Sequence, residues 1–263
     1  MSILDTIVKR KKEEVSERKK SISASQLVQS ENFERKCFSL SKFVLNPQFS
    51  GIISEFKRKS PSKPAINLEA DVVKITSGYE KAASSGVSIL TDIDFFGGND
   101  LDLFNSRLHL NIPILRKDFM IDEYQIIEAK SIGADAILLI SEILSKEEIN
   151  HLSKVAVDLG MDVLMEIHTA DQLEKYHDRI QLIGVNNRNL KTFTTDIQYS
   201  IDLFPQLPES AVKISESGID NVDFVIKLKK IGYQGFLIGE NFMKSNDPGF
   251  ACKNFIDEIR AKS

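Results

Sequence analysis

The chain has 263 residues, is 42% hydrophobic and 27% charged, and carries 34 Lys and Arg against 38 Asp and Glu, a formal net charge of −4. That length suits one α/β barrel or two smaller domains, and the apolar fraction allows a sizeable core. The acidic balance argues against a nucleic-acid surface, the two cysteines (Cys37 and Cys252) make neither a disulfide framework nor a metal box, and the longest apolar run, Ala136–Ile140, is far too short to cross a bilayer.

In chain order, the first element is a helix over Ser2–Lys20. Its apolar residues Ile3, Leu4, Ile7, Val8 and Val15 form one modest stripe against a charged solvent face. It holds no apolar core of a signal peptide, so a cytoplasmic protein is expected. The run Lys9-Arg10-Lys11-Lys12 would suit an anionic partner, but Glu13, Glu14 and Glu17 follow at once, so a solvated helix face is expected. Residues 1–48 read as a helical appendage to a single domain spanning 1–263.

From Gly51 onward, short apolar runs alternate with amphipathic stretches. The runs are Ile52–Phe56, Ser88–Thr91, Pro113–Arg116, Ala136–Ile140, Val163–Ile167, Leu182–Val185, Val212–Ser215 and Phe236–Ile238. Helical patterns between them include Glu123–Ser131, Lys146–Leu159 and Asn221–Lys230, and Gly86, Gly133, Gly160 and Gly232 read as helix stops. Unbroken apolar strands suit a parallel sheet covered on both faces. Eight β-then-α units in about 210 residues predict a (β/α)₈ barrel. An open doubly wound sheet is the competing architecture; it wants a glycine-rich turn after its first strand, where this chain reads FKRKSPSKP.

Barrel chemistry sits at the C-terminal ends of strands. There the chain places Glu55 and Lys57, Thr91 and Asp92, Arg116, Lys117 and Asp118, Glu166 and His168, Asn186 and Arg188, Glu216 and Ser217, and Gly239 and Glu240. The N-terminal ends carry no comparable ionisable set. Residues two apart share a strand face, so Glu55, Lys57, Lys117 and Glu166 are expected to converge in one pocket. Close carboxylates and ammoniums there suit general acid and base work; structural ion pairs at the rim are the alternative.

Ser217-Gly218 after strand 7 and Gly239-Glu240 after strand 8 match the barrel phosphate site, where backbone N–H groups cradle a dianion. Lys57, Arg58, Lys59 and Lys63 would add positive potential beside it. His168 has no companion at ligand spacing and reads as a structural or supporting residue, so no metal is expected.

Seven motifs in order, ISEFKRKSPSK (Ile53–Lys63), LTDIDFFGG (Leu90–Gly98), PILRKDFMIDEYQIIEAKSIGADAILLI (Pro113–Ile140), LMEIH (Leu164–His168), IGVNNRNL (Ile183–Leu190), SESGI (Ser215–Ile219) and LIGENFM (Leu237–Met243), resemble the indole-3-glycerol phosphate synthase family. The resemblance covers essentially the whole chain. It implies a (β/α)₈ carboxy-lyase of tryptophan biosynthesis, with no cofactor and a small phosphorylated substrate as its partner. No nucleic acid or membrane is implied, and the chain is expected to be a monomer or weak homo-oligomer.

By the same resemblance, Lys117 is the general acid and Glu166 the general base, assisted by Glu55 and Asn186, with Lys57 holding anionic groups of the substrate. Ser60, Pro61, Phe96, Phe119 and Leu138 would surround the aromatic ring. Arg188, Glu216, Ser217, Gly218, Gly239 and Glu240 would hold the sugar phosphate end. Members usually carry glycine where Pro64 stands, and Met120 and Asn241 also depart from the pattern; Pro64 fixes a loop dihedral that glycine leaves free.

Three rival readings stay open from the residues alone. A Schiff-base aldolase would use Lys117 as nucleophile. Phosphoribosylanthranilate isomerase is a related barrel, but its Cys/Asp pair is missing at these strand ends. A phosphoanion-binding barrel without chemistry has no need of both Lys117 and Glu166.

Overall fold

The structure is a computed structural model and describes residues 3–189 and 193–262. Met1, Ser2, Ser263 and positions 190–192, including Leu190 of the IGVNNRNL motif, lie outside the described residues.

Eight parallel strands close on themselves in sequence order: β1 (Ile52–Phe56), β2 (Gly86–Leu90), β3 (Ile114–Lys117), β4 (Ala136–Ile140), β5 (Asp162–Ile167), β6 (Leu182–Asn186), β7 (Val212–Glu216) and β8 (Gly235–Ile238). The ring is sealed by β1 against β8, with Ser54 opposite Ile238. This is the (β/α)₈ barrel expected from the spacing of the apolar runs. Outward residues such as Ile52, Val87, Ile89, Ile137 and Leu139 pack under the helices in one apolar cluster. Inward residues such as Ile53, Leu115, Leu138, Leu164, Ile214 and Leu237 fill the barrel in another, the two-residue alternation of a strand applied eight times.

Gly133, Gly160 and Gly232 do follow helix ends in left-handed or positive-φ conformation. Gly86 does not. It opens β2, where an added Cβ would stand 2.6 Å from Cδ1 of Leu40. The turn after the preceding helix, Val72–Lys81, is instead made by Ala83 at φ 62°.

The N-terminal segment is not an appendage. Helix α1 (Ile3–Ser21) lies over the C-terminal mouth, where Ile7 joins the inward apolar cluster. Helix α2 (Ala24–Leu27), fixed by a Ser23/Gln26 capping box, starts the descent beside the helix Glu123–Ser131, to which Ser30 donates at 3.0 Å. Helix α3 (Leu40–Leu45) then plugs the opposite end with Leu40 and Val44.

Two carboxylates at the N-terminal strand ends anchor this descent. Asp135 is fully buried and accepts from Arg35, Arg107 and the backbone N–H groups of Phe38 and Ile114 at 2.7–2.9 Å. Asp162 accepts from Ser39 and Ser41. That end therefore does carry acidic groups, but their partners satisfy them and their work is structural.

Lys11 also departs from expectation. Rather than facing solvent with its basic neighbours, it is 1% exposed, with Nζ 2.8 Å from Glu14 and 2.9 Å from both Asp92 and Asp118. Three carboxylates within ion-pair distance make burial of an ammonium tolerable.

Candidate active site

Five polar residues stand at the inward C-terminal ends of their strands: Glu55 of β1, Lys117 of β3, Glu166 of β5 and Glu216 of β7 each lie one inward step beyond an apolar residue, Asn186 of β6 lies one beyond Gly184, and all line one cavity of about 310 Å³. Lys117 Nζ donates to Glu166 Oε2 at 3.1 Å and stands 3.4 Å from Glu216 Oε2. Asn186 donates to Glu166 Oε1 at 3.0 Å, and Lys57 to Glu55 Oε1 at 2.5 Å. Two glycines make room for these carboxyls. A Cβ on Gly239 would stand 2.5 Å from Glu55 Oε1, and one on Gly184 would overlap Glu216 Oε1.

Burial and charge pull the three groups at the centre apart. Burial alone would push the Glu166 carboxyl up, but Lys117, then His168 and Asn186, bring it down to about 2. Burial lowers the Lys117 ammonium, and Glu166, Glu216 and Glu55 more than reverse this, so its pKa is raised. Glu216 is pushed up to about 8, first by burial and then by the charges of Glu166 and Glu55, against the pull of Lys117. At neutral pH the cavity thus holds an ammonium acid, a carboxylate base and a largely protonated carboxyl. Environments that separate pKa values in this way allot acid and base roles.

One wall is apolar. The rings of Phe96 and Phe119 lie 6.0 Å apart at 44°, and Leu138 stands beside them, with Ile3, Leu4 and Ile7 of α1 covering this side. Ser60 and Pro61 complete it from the loop after β1, where Ser60 and Lys63 exchange backbone bonds of 2.8 and 3.0 Å. Pro64 follows that exchange directly, so its missing N–H interrupts no bond of the turn. Met120 is buried in the apolar cluster under the helices, and Asn241 donates to the Asp220 carbonyl at 3.1 Å.

The opposite wall offers backbone and cation. Ser217 and Gly218 take successive positive φ angles, 67° and 70°, and their turn after β7 lines the cavity. Gly239 and Glu240 follow the neighbouring strand β8 and line the cavity beside them, and Arg188 donates to Ser62 at 3.0 Å. Of the basic residues expected to enrich this end, only Lys57 lines the cavity. Arg58 is tied to Asp102, Lys59 donates to the Asp94 carbonyl at 2.8 Å, and Lys63 pairs with Glu240, whose carboxylate is therefore engaged. Any contribution of Glu240 to an anion falls to its backbone.

All sixteen site residues named from the sequence line this one cavity. The sequence reading missed the α1 residues Ile3, Leu4 and Ile7, although their apolar spacing was visible, and it missed Gly184, whose open Cα face takes the Glu216 carboxyl only once the strands are assembled. His168 stands behind Glu166, Nε2 to Oε1 at 3.6 Å. Among the described residues, no three His, Cys, Asp or Glu side chains group to hold a metal ion.

The model of the family described as indole-3-glycerol phosphate synthase matches residues 4–255. The chain belongs to that family. A relative called indole-3-glycerol phosphate synthase from Bacteroides thetaiotaomicron is 46% identical over 258 residues, 98% of this chain and 99% of its own length. One of the same name from Magnetococcus marinus is 39% identical, covering 97% and 98%. Among solved structures, 3-hexulose-6-phosphate synthase from Salmonella typhimurium aligns with a TM-score of 0.63 at 9% identity, over 81% of this chain and 99% of that one. A tryptophan synthase A-subunit from Pyrococcus furiosus aligns at 0.59 and 13%, over 81% and 99%. At such identities these last two speak for the barrel alone. The family match begins inside α1, so the synthase family's unit includes the helix that walls the cavity.

Proposed function

We propose that this chain closes the pyrrole ring of 1-(2-carboxyphenylamino)-1-deoxyribulose 5-phosphate, releasing CO2 and water to give indole-3-glycerol phosphate. The observation that carries this reading is the Lys117–Glu166 ion pair, held at 3.1 Å in a cavity that also holds an aromatic wall and the Ser217-Gly218 turn after β7, the place of a barrel phosphate site. A substrate with an anthranilate ring at one end and a phosphate at the other fits between such walls.

The ring carbon that bears the carboxylate attacks the ribulose carbonyl, and Lys117 protonates the oxygen as it becomes an alcohol. Removing charge as it develops is where a placed ammonium lowers the barrier most. The C–CO2 bond then breaks and its electrons restore the aromatic ring. Finally the alcohol leaves as water with a second proton, and Glu166 takes a C–H proton as the pyrrole double bond forms. Two protons enter and one leaves, so the reaction draws one from solvent. Once Lys117 has given up its proton, the charge that held the Glu166 carboxyl near 2 is gone, and its basicity rises when it is needed.

Glu55 and Asn186 keep the pair in place, and Lys57 holds the substrate's carboxylate or phosphate. Ser60, Pro61, Phe96, Phe119 and Leu138 enclose the aromatic ring. Arg188, Glu216, Ser217, Gly218, Gly239 and the Glu240 backbone fix the sugar phosphate. No step asks for redox or a carbanion sink, so no cofactor or metal is required. The raised pKa of Lys117 keeps it an ammonium, which speaks against an aldolase Schiff base. We read residues 1–263 as one working domain, a cytoplasmic monomer or weak homo-oligomer. Among the described residues, no helix is long and apolar enough to cross a membrane.

The test is direct. Purified protein with the aminodeoxyribulose phosphate should develop indole absorbance and fluorescence, and should do so in excess EDTA. No indole product, or activity abolished by EDTA and restored by one divalent ion, contradicts the reading.

A further inference from the structure

The second asparagine of the IGVNNRNL motif takes no part in the mechanism above, yet Asn187 is fully buried. Asn186 lines the cavity, so its neighbour Asn187 falls on the outward face of β6 with Val185, where the other strands pack apolar side chains under the helices. Asn187 Nδ2 donates to Ser215 Oγ at 3.0 Å and to the Ser217 carbonyl at 3.1 Å. Its Oδ1 accepts from the backbone N–H and the hydroxyl of Ser200, at 3.1 and 2.8 Å. Its own N–H donates to the Glu216 carbonyl at 2.9 Å, and its carbonyl accepts from Asp196 at 3.0 Å. Ser200 is fixed in turn: its Oγ lies 2.7 Å from Ser215 Oγ, and its carbonyl accepts from Tyr233 at 2.8 Å.

An apolar side chain could fill this space. A buried amide with every group satisfied adds little net stability but holds its partners in one geometry. What Asn187 holds is the turn after β7. Ser217 bears a side chain at φ 67°, a region that residues other than glycine rarely enter, and Asn187 fixes its carbonyl. Gly218 follows at φ 70°, with Thr195 of the loop after β6 packed against it, where an added Cβ would stand 2.9 Å from Thr195 Cβ. That loop is tied to Asn187 through Asp196. Asn187 thus joins the loop after β6 to the turn after β7 from behind the cavity that Ser217, Gly218 and Thr195 line.

We propose that Asn187 is a positioning residue for the phosphate end of the substrate: its hold on the Ser217 carbonyl keeps the Ser217-Gly218 turn in the shape that receives the anion. This rests on the synthase reading for the place of the phosphate.

The experiment compares wild type with Asn187→Leu, Asn187→Ala and Ser200→Ala, measuring kcat and KM for indole formation, the Kd for inorganic phosphate by calorimetry, and the melting temperature. Asn187→Leu keeps the volume and loses the bond to Ser217. Ser200→Ala weakens the network on the other side of Asn187 and leaves Nδ2 in place. Both should melt earlier. Only the Asn187 variants should raise KM and the phosphate Kd, by about five- to tenfold, the scale of one lost hydrogen bond, with kcat within about twofold of wild type. If Asn187→Leu does not fold, Asn187→Ala decides. A folded Asn187 variant with both affinities unchanged, or a Ser200→Ala protein that loses them equally, overturns the positioning role, as does a wild type that binds no phosphate. A wild type that binds phosphate and makes no indole contradicts the synthase reading instead, and the phosphate affinities of the variants still decide the part played by Asn187.

Discussion

The ammonium of Lys11, on a helix that precedes the barrel, lies 2.9 Å from the carboxylate of Asp118, the residue after Lys117. Asp118 is in turn bonded to Thr91, and Arg116 on the other side of Lys117 reaches both Asp100 and Glu128. The helix that walls the cavity and the strand that carries Lys117 are thus held by one buried charge network.

Lys11→Met should therefore destabilise the protein by about 3–5 kcal/mol, the cost of stranding buried partners of an ion pair. Asp92 and Asp118 would be left facing each other without their shared cation. Urea unfolding measures this; a loss below about 1 kcal/mol would show the network to be dispensable.

The pH dependence of stability should carry the signature of Glu216. Its folded pKa, about 8, lies above the ordinary value of 4.5, so the folded state holds a proton that the unfolded chain has released. That contribution is fully present below 4.5 and is lost as pH rises toward 8. Glu166 works in the opposite sense: held near 2, it contributes above 4.5 and loses that as pH falls. In denaturant titrations between pH 5 and pH 8.5, Glu216→Gln should flatten the decline seen in wild type. Equal slopes for the two proteins would place the Glu216 titration elsewhere.

Gly184→Ala should spare the fold and damage the chemistry. The new methyl overlaps Glu216 Oε1, and β6 cannot retreat because it is paired on both sides, to β5 and β7. The carboxyl must move, and a displacement of an ångström in such a site costs about 10²-fold in rate. Indole formation within twofold of wild type, with an unchanged melting curve, would mean that Glu216 can relocate freely.

Much of this was legible in the sequence, for physical reasons. Strands buried on both faces must be apolar runs, and the two-residue alternation carried Glu55, Lys117 and Glu166 to the same interior. What stayed hidden depends on contacts distant in the chain. Lys11 sits in a basic run that looks like any solvated helix face, and only the placement of Asp92 and Asp118 makes it a buried residue. The apolar stripe of α1 announced a buried face without saying that the barrel mouth would bury it. Gly86 resembled a helix stop because its true constraint, the side chain of Leu40, comes from the plug at the other end of the barrel.

The central claim is that Lys117 is the acid of a ring-closing decarboxylase. Initial rates of indole formation by wild type and Lys117→Ala, with equilibrium binding of a non-reacting phosphorylated analogue measured on both, test it most directly. The account predicts at least about 10²-fold loss of turnover, the scale for a missing general acid, with analogue affinity largely kept. A Lys117→Ala protein retaining more than half of wild-type turnover would contradict it.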